Sequence, residues 1–167
     1  IDSGSAYLFN LDTNTQIAKL SDGTSFGSMG ASVAIGGTTA YVGAPVRQPN
    51  NGFVYLFDTT TGNPITRFQP SDASSTFAFG GSIAVDGNKL LVGAVGDDNQ
   101  NGIFSGSAYV FSTTPLAQTG ELFAEDGYTV HGFGEAVDIS GNVAVIGSRE
   151  SKLHNSQFPS TFQTAAY

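Results

Sequence analysis

The stretch FGGSIAVDGNKLLVGAVGDDNQNGIFSGSAYVF, which runs from Phe79 to Phe111, indicates the fold of the whole chain. Two short apolar, β-branched runs flank the turn Asp86-Gly87-Asn88, and this pattern is typical of a tight β-hairpin. A polar segment then separates the hairpin from a third apolar run that begins at Ser107. The stretch therefore predicts consecutive β-strands joined by turns.

A cassette of one aspartate and two glycines occurs three times with constant internal spacing. Its copies are Asp22, Gly30 and Gly43, then Asp72, Gly80 and Gly93, and finally Asp126, Gly134 and Gly147. The gaps within each copy are 8 and 13 residues, whereas successive copies lie 50 and 54 residues apart. Constant spacing of this size predicts a stacked or radial repeat architecture.

Each repeat carries two predicted hairpins. The first surrounds a glycine-containing turn, at Gly36-Gly37, Asp86-Gly87-Asn88 or Ser140-Gly141-Asn142. The second opens at a glycine and places three tyrosines in register, namely Tyr7, Tyr55 and Tyr109. Four antiparallel strands per repeat are typical of a β-propeller blade.

The repeat divides the chain into a half blade at 1–20, full blades at 22–69 and 72–124, and a partial blade at 126–167. In the partial blade, the segment TAAY, which ends at Tyr167, matches the start of the second hairpin. About three blades are fewer than the four of the smallest closed propellers. The predicted fold is therefore all-β, built of four-stranded antiparallel blades, and incomplete as a closed ring.

The composition excludes several classes of function. The chain has 14 acidic and 6 basic residues and a formal net charge of −8, which disfavours binding to nucleic acid. It has no cysteine, so disulfides, thiolate catalysis and cysteine-ligated metals are excluded. We also find no apolar run long enough to span a bilayer, and therefore predict no transmembrane segment.

The chain resembles the FG-GAP repeat family, and the cassette glycines carry the resemblance. Phe79-Gly80 and Phe133-Gly134 match the first half of the motif, and Met29-Gly30 is a conservative departure. Gly43-Ala44-Pro45 matches the second half in full, and Gly93-Ala94 keeps two of its three residues. The family forms the propeller blades of integrin α-subunits and of many secreted bacterial proteins, so the resemblance implies an extracellular or cell-surface location.

The resemblance also bears on calcium binding. In the integrin version, calcium is held by an aspartate-rich loop between the first two strands of a blade. Here that place is taken by short turns around Gly37, Gly87 and Gly141, which carry too few carboxylates for six to eight oxygen ligands. We therefore expect the usual calcium site of the family to be absent.

The segment GDDNQNG supplies the candidate metal site. Asp97, Asp98, Asn99 and Asn101 precede Gly102, and alternating side-chain oxygens here would suit Ca²⁺. The segment matches the start of an EF-hand loop and lacks its end, because Ala108 stands where a bidentate glutamate is needed. The alternative interpretation is a solvated turn made of turn-favouring residues.

We predict structural roles for the cassette aspartates and for the two histidines. The three cassette aspartates are predicted to form Asx-turns or backbone caps at the entry to each blade. His131 and His154 are predicted to be surface or turn residues, because neither has a repeated or paired context.

These observations predict a non-enzymatic extracellular module for binding, adhesion or assembly, most consistent with a bacterial protein. Its candidate ligand-facing loops are Val46 to Asn51, Gly96 to Ser105 and Arg149 to Gln163, which would meet a protein or carbohydrate. Its other expected partners are further blades of the same protein, or copies of itself joined through the end hairpins. Two alternatives stay open: an accessory propeller domain of a larger secreted enzyme, and a self-assembling filament subunit.

Overall fold

The fold is entirely β in the residues that the structure describes. The computed structural model describes residues 4–23, 28–45, 52–72, 76–149 and 164–166. Its regular elements are 13 β-strands, and these ranges contain no helix. The described residues therefore include no helix that could cross a lipid bilayer.

The strands form four antiparallel sheets, which we call blades A to D in chain order. Blade A contains β1 (Ala6–Asn10) and β2 (Thr15–Leu20). Blade B contains β3 (Ser32–Gly36), β4 (Thr39–Ala44), β5 (Phe53–Asp58) and β6 (Pro64–Phe68). Blade C contains β7 (Thr76–Asp86), β8 (Lys89–Asp97), β9 (Ser107–Thr113) and β10 (Leu116–Leu122). Blade D contains β11 (Phe133–Ser140), β12 (Val143–Arg149) and β13 (Thr164–Ala166).

The prediction of four-stranded antiparallel blades that do not close a ring is confirmed. Blades B and C each have four strands, paired in chain order. The strand register supports the TAAY match, because Gly147 faces Ala166 in blade D as Gly93 faces Ala108 in blade C. Tyr167 itself lies outside the described residues. The exact boundaries of the units stay a prediction.

The blades pack face to face through three apolar clusters, one at each junction. Between blades A and B lie Ala6, Leu20, Met29, Ala40, Val42, Ala44, Tyr55 and Phe57. Between blades B and C lie Tyr41, Val54, Leu56, Phe79, Ile83, Leu90, Val92, Ala94, Tyr109 and Phe111. Between blades C and D lie Leu91, Ala108, Ala124, Phe133 and Ile146. The core of the protein is therefore distributed over the junctions between its blades.

The cassette glycines bring the backbones of adjacent blades together. A Cβ atom added to Gly43 would lie 2.0 Å from the Gly80 carbonyl oxygen, and one added to Gly93 would lie 2.0 Å from that of Gly134. Gly80 and Gly134 themselves have φ angles of +88° and +91°, which side chains rarely adopt. The second cassette glycine of one blade therefore contacts the first cassette glycine of the next.

A serine hydroxyl reinforces each of these contacts. Ser32 Oγ donates a hydrogen bond of 2.7 Å to the Gly80 carbonyl oxygen, and Ser82 Oγ donates one of 2.8 Å to that of Gly134. Both bonds join one blade to the next and satisfy a carbonyl group that leaves the sheet ladder. The corresponding residue of blade D is Ala136, which has no hydroxyl group to donate.

We predict that Gly93→Ala lowers the free energy of unfolding by about 1 to 3 kcal/mol, because its methyl group would overlap backbone that cannot rotate away. Urea denaturation monitored by circular dichroism measures this change. Gly120→Ala in β10 is the matched control, because an added Cβ there meets no atom within 4 Å. An equal loss of stability in both variants would contradict the proposed role of the Gly93 contact.

Candidate functional site

The cassette aspartates of blades B and C accept hydrogen bonds from tyrosines, a contact that the sequence analysis did not predict. Tyr55 Oη donates a 2.7 Å hydrogen bond to Asp22 Oδ2, and Tyr109 Oη lies 3.2 Å from Asp72 Oδ2. In each blade, the aspartate before the first strand is thereby joined to the tyrosine of the third strand. Because 33 and 37 residues separate the partners, local turn patterns give no sign of the contact.

The residue opposite the tyrosine on the fourth strand differs among the blades. Tyr7 faces Lys19 in blade A, and Tyr55 faces Arg67 in blade B. Arg67 Nη1 donates a 3.3 Å hydrogen bond to Tyr55 Oη. In blade C the corresponding residue is Glu121, so an acidic group replaces a basic one beside the tyrosine.

Blade C gains a further carboxylate, from Asp97 at the end of β8. Asp97 is 1% exposed, and its Oδ2 lies 3.0 Å from Tyr109 Oη. Asp97 Oδ1 is buried and has no hydrogen-bond partner among the described residues. Tyr109 therefore lies between the carboxyl groups of Asp97 and Asp72, and its single hydroxyl proton serves only one of them at a time.

A proton on the Asp97 carboxyl group would supply the second hydrogen-bond donor that the two carboxyl groups and Tyr109 need. Burial of its carboxyl group raises the pKa of Asp97 to about 7, and the negative charges of Glu121 and Asp72 act in the same direction. Glu121 is held close by the Ser107 hydroxyl, which donates a 2.8 Å hydrogen bond to its Oε1. A neutral Asp97 would donate to Tyr109 Oη, which would then donate to Asp72.

The remaining residues of the predicted metal site hold the loop together through backbone hydrogen bonds. Asp98 Oδ1 accepts a 2.8 Å bond from the Phe104 amide, and Asn99 Oδ1 accepts a 2.9 Å bond from the Asn101 amide. Asn101 Nδ2 donates a 2.7 Å bond to the Ala124 carbonyl oxygen. These are contacts of a well-bonded turn, and they direct the side chains toward different partners.

The two carboxyl groups of the predicted calcium loop contact protein groups in this arrangement. Asp97 turns inward to Tyr109, and the carboxylate of Asp98 is engaged by a main-chain amide. Across the described ranges, no group of three or more His, Asp or Glu side chains is placed to hold a metal. Calcium binding by Asp97, Asp98, Asn99 and Asn101 stays a prediction, and it would require the loop to exchange these bonds for metal contacts.

The same loop packs against the loop that leads into blade D. Val130 N donates a 3.0 Å hydrogen bond to the Ile103 carbonyl oxygen, and Phe133 N donates one of 3.1 Å to that of Ser105. Gly102 approaches Thr129 so closely that an added Cβ would lie 2.3 Å from Thr129 Oγ1. The two loops therefore form one continuous, braced structure at the junction of blades C and D.

Three large side chains of these loops are exposed, and we call them the loop surface. They are Ile103 (58% exposed), Phe104 (44%) and Tyr128 (36%). The Tyr128 ring stacks on His131, with ring centroids 4.7 Å apart. His131 lies in a loop, as predicted, but it is 2% exposed and supports the surface from beneath.

The sequence interpretation located one loop of this surface and missed the other. Gly96 to Ser105 is one of the candidate ligand-facing loops of the sequence analysis, whereas Tyr128 follows the cassette residue Asp126 in a segment that was not among them. Of the other two candidate loops, Val46 to Asn51 lies outside the described residues, as do residues 150–163 of the loop from Arg149 to Gln163, which include His154. The tyrosines in register with repeated aspartates were the signal that could have revealed the carboxylate cluster.

Comparison with known protein families shows which family the chain belongs to. The profile of the FG-GAP repeat matches residues 65–111 and 116–161, which together make up more than half of the sequence. The chain belongs to the FG-GAP repeat family, as the sequence motifs indicated. It is a β-propeller-type module, a kind of module that is generally non-catalytic and typical of extracellular proteins. No curated protein matches the chain.

We predict that the protein loses stability as the pH rises from about 3.8 to about 7, because over this range the unfolded chain releases the Asp97 proton that the folded protein retains. The folded protein holds this proton up to a pKa of about 7, against an ordinary pKa of 3.8 for the carboxyl group, so the stabilisation is complete below the lower value. Urea denaturation should give a free energy of unfolding about 2 to 3 kcal/mol lower at alkaline than at mildly acidic pH.

Asp97→Asn tests this assignment, because it keeps the shape of the side chain and removes the titration. We expect the variant to lose the decline in stability between mildly acidic and alkaline pH. Asp58→Asn is the control. Hydrogen bonds from Thr61 lower the pKa of Asp58 below 3.8, so the titration of Asp58 changes stability only at more acidic pH and not between mildly acidic and alkaline pH. A decline that persists in Asp97→Asn would disprove the assignment.

A calcium titration tests the loop directly. The hydrogen-bonding pattern predicts no heat of binding and no change in melting temperature when calcium is added to chelator-treated protein. A calcium-dependent rise in melting temperature that disappears in Asp98→Ala would instead support the metal site predicted from sequence.

Proposed function

We propose that this protein is a non-enzymatic binding module that acts outside the cell and contacts a protein or carbohydrate ligand through the loop surface. The observation that carries the proposal is the exposure of Ile103, Phe104 and Tyr128 on two loops that brace each other. Aromatic side chains such as Tyr and Phe are enriched at the cores of protein interfaces. Aromatic rings also provide stacking faces for sugars.

The backbone of these loops supports the proposal. Phe104 and Val130 have positive φ angles of 53° and 63°, an unfavourable conformation for side chains of this kind. Such strain persists only where surrounding contacts enforce it, and it is concentrated at ligand sites and switch regions. Here the Asp98 carboxylate bonds the amide of Phe104, and the Ile103 carbonyl bonds the amide of Val130. These bonds fix the backbone that carries the exposed side chains before a ligand arrives, which reduces the entropy lost on binding.

The charge of the protein narrows the class of ligand. A net charge of −8 opposes polyanions such as nucleic acids, and the loop surface itself is apolar and aromatic. A ligand with exposed apolar or sugar faces therefore suits this surface best. The extracellular location agrees with what is typical of FG-GAP proteins.

We predict that fluorescently labelled protein binds a component of a glycan microarray or of an array of purified extracellular-matrix proteins. The double variant Ile103→Ser, Phe104→Ser should bind that component at least about 10-fold more weakly, because it removes both apolar anchors. The control is Ile65→Ser on β6, since Ile65 is exposed to a similar degree, 55%, outside the loop surface.

Two results would count against the loop surface. Undiminished binding by the double variant would place the contact elsewhere, and an equal loss in Ile65→Ser would indicate nonspecific adhesion. The melting temperatures of both variants should match that of the unmodified protein, because all three side chains point to solvent.

A further inference from the structure

The first blade leaves part of its neighbour uncovered. By register, β1 and β2 correspond to the third and fourth strands of a blade, because Tyr7 faces Lys19 as Tyr55 faces Arg67. The face of blade B beside the first two strand positions of blade A carries two exposed side chains, Val33 (61%) and Ile35 (63%). We call these two residues the front patch.

The last blade has an exposed face of matching character. Val143 and Val145 on β12 are 73% and 49% exposed, and Leu122 at the end of blade C is 37% exposed. We call these three residues the back patch. Between the two patches, counterparts of these residues pack in the cluster that joins blades B and C, namely Ile83 and Val85 for the front patch, and Tyr41 and Phe68 for Val145 and Leu122 of the back patch.

We propose that the front and back patches bind each other in two copies of this chain, so that the β1–β2 hairpin of one copy completes the blade begun by β11 and β12 of another. The composite blade would then have four strands, like blades B and C. This inference goes beyond the proposed function and does not depend on the loop surface.

The junction between blades B and C shows why the patches are complementary. There, Tyr41 of blade B packs in one cluster with Ile83 and Val85 of blade C. Counted from the cassette glycines, Tyr41 corresponds to Val145, and Ile83 and Val85 correspond to Val33 and Ile35. The two patches therefore expose side chains whose counterparts already contact each other inside the molecule.

An aromatic contact between blades B and C, nearer their outer strands, also has counterparts that are exposed at the two ends of the array. Phe68 of blade B lies against Phe111 of blade C, with ring centroids 4.7 Å apart. Their counterparts are Leu122 in the back patch and Phe9 on β1, which is 51% exposed. Docking the hairpin would bury Phe9 against Leu122 of the other copy, and would add to the apolar area removed from water.

A polar contact is also reproduced across the composite blade. In blade B, Asp22 accepts a hydrogen bond from Tyr55, whose hydroxyl also contacts Arg67. In the composite blade the same positions are filled by Asp126 of one copy and by Tyr7 and Lys19 of the other. Asp126 and Lys19 would then place opposite charges on the two sides of the Tyr7 hydroxyl, as Asp22 and Arg67 both contact the Tyr55 hydroxyl in blade B.

The short strand β13 now occupies the place that β1 would take. It pairs with β12 over three residues, whereas β5 and β9 pair with their neighbours over six. Ala6 is the counterpart of Ala166 in this register, and the GSAYLF sequence from Gly4 nearly repeats the GSAYVF of blade C. A longer strand with more ladder bonds would therefore replace a shorter one.

Mixing variants tests the proposal. Val33→Asp, Ile35→Asp blocks the front patch, and Val145→Asp blocks the back patch. Sedimentation velocity should show concentration-dependent assembly of the unmodified protein and monomers of each variant alone. An equimolar mixture of the two variants should form a dimer and nothing larger, because one intact front patch meets one intact back patch.

Ile65→Asp on β6 is the control for added surface charge and should assemble like the unmodified protein, since Ile65 lies in neither patch. Circular dichroism must show that both patch variants fold. A monomeric unmodified protein would overturn the proposal, and would leave the patches to further blades of a longer chain or to no partner. A mixture that stays monomeric would also overturn it, because two different patches could not then be the contact.

Discussion

The close approach of backbone to backbone at the blade junctions is the constraint on which the rest of the structure depends. Gly43 and Gly93 each lie against a carbonyl oxygen of the next blade, at a distance that leaves no room for a side chain. This contact sets the spacing between sheets, and the apolar clusters fill the space that results. The glycines recur in the sequence because each lies at an interface that holds neighbouring small sheets of the array together.

The repeated framework carries chemistry that differs from blade to blade. In blade B, a basic residue accompanies the aspartate and tyrosine pair, because Arg67 donates a hydrogen bond to the hydroxyl of Tyr55 that binds Asp22. In blade C, Glu121 takes that place and Asp97 adds another carboxyl group beside Tyr109. The excess of acid makes a bound proton the simplest means of satisfying the site.

The candidate site was only partly predictable from sequence. Asp97, Asp98, Asn99 and Asn101 were identified as an unusual acidic and amide cluster, and their segment does form one braced loop. Their division between a buried cluster and a turn could not be read from spacing, because it depends on Tyr109 and Ala124. The contribution of Tyr128 was invisible for the same reason: it belongs to a different repeat and meets this loop only in space.

The sequence by itself determined the class of fold, the order of the strands and the positions of the junction glycines. These follow from alternating hydrophobicity, turn chemistry and a repeat whose spacing survives in all three copies, each of them a local property of the chain. Only the tertiary structure decided which groups meet, as when Asp22 binds Tyr55 and Asp97 is buried beside Tyr109. Hydrogen-bond partners and burial depend on distances between residues that are remote in the chain, and a linear pattern does not encode those distances directly.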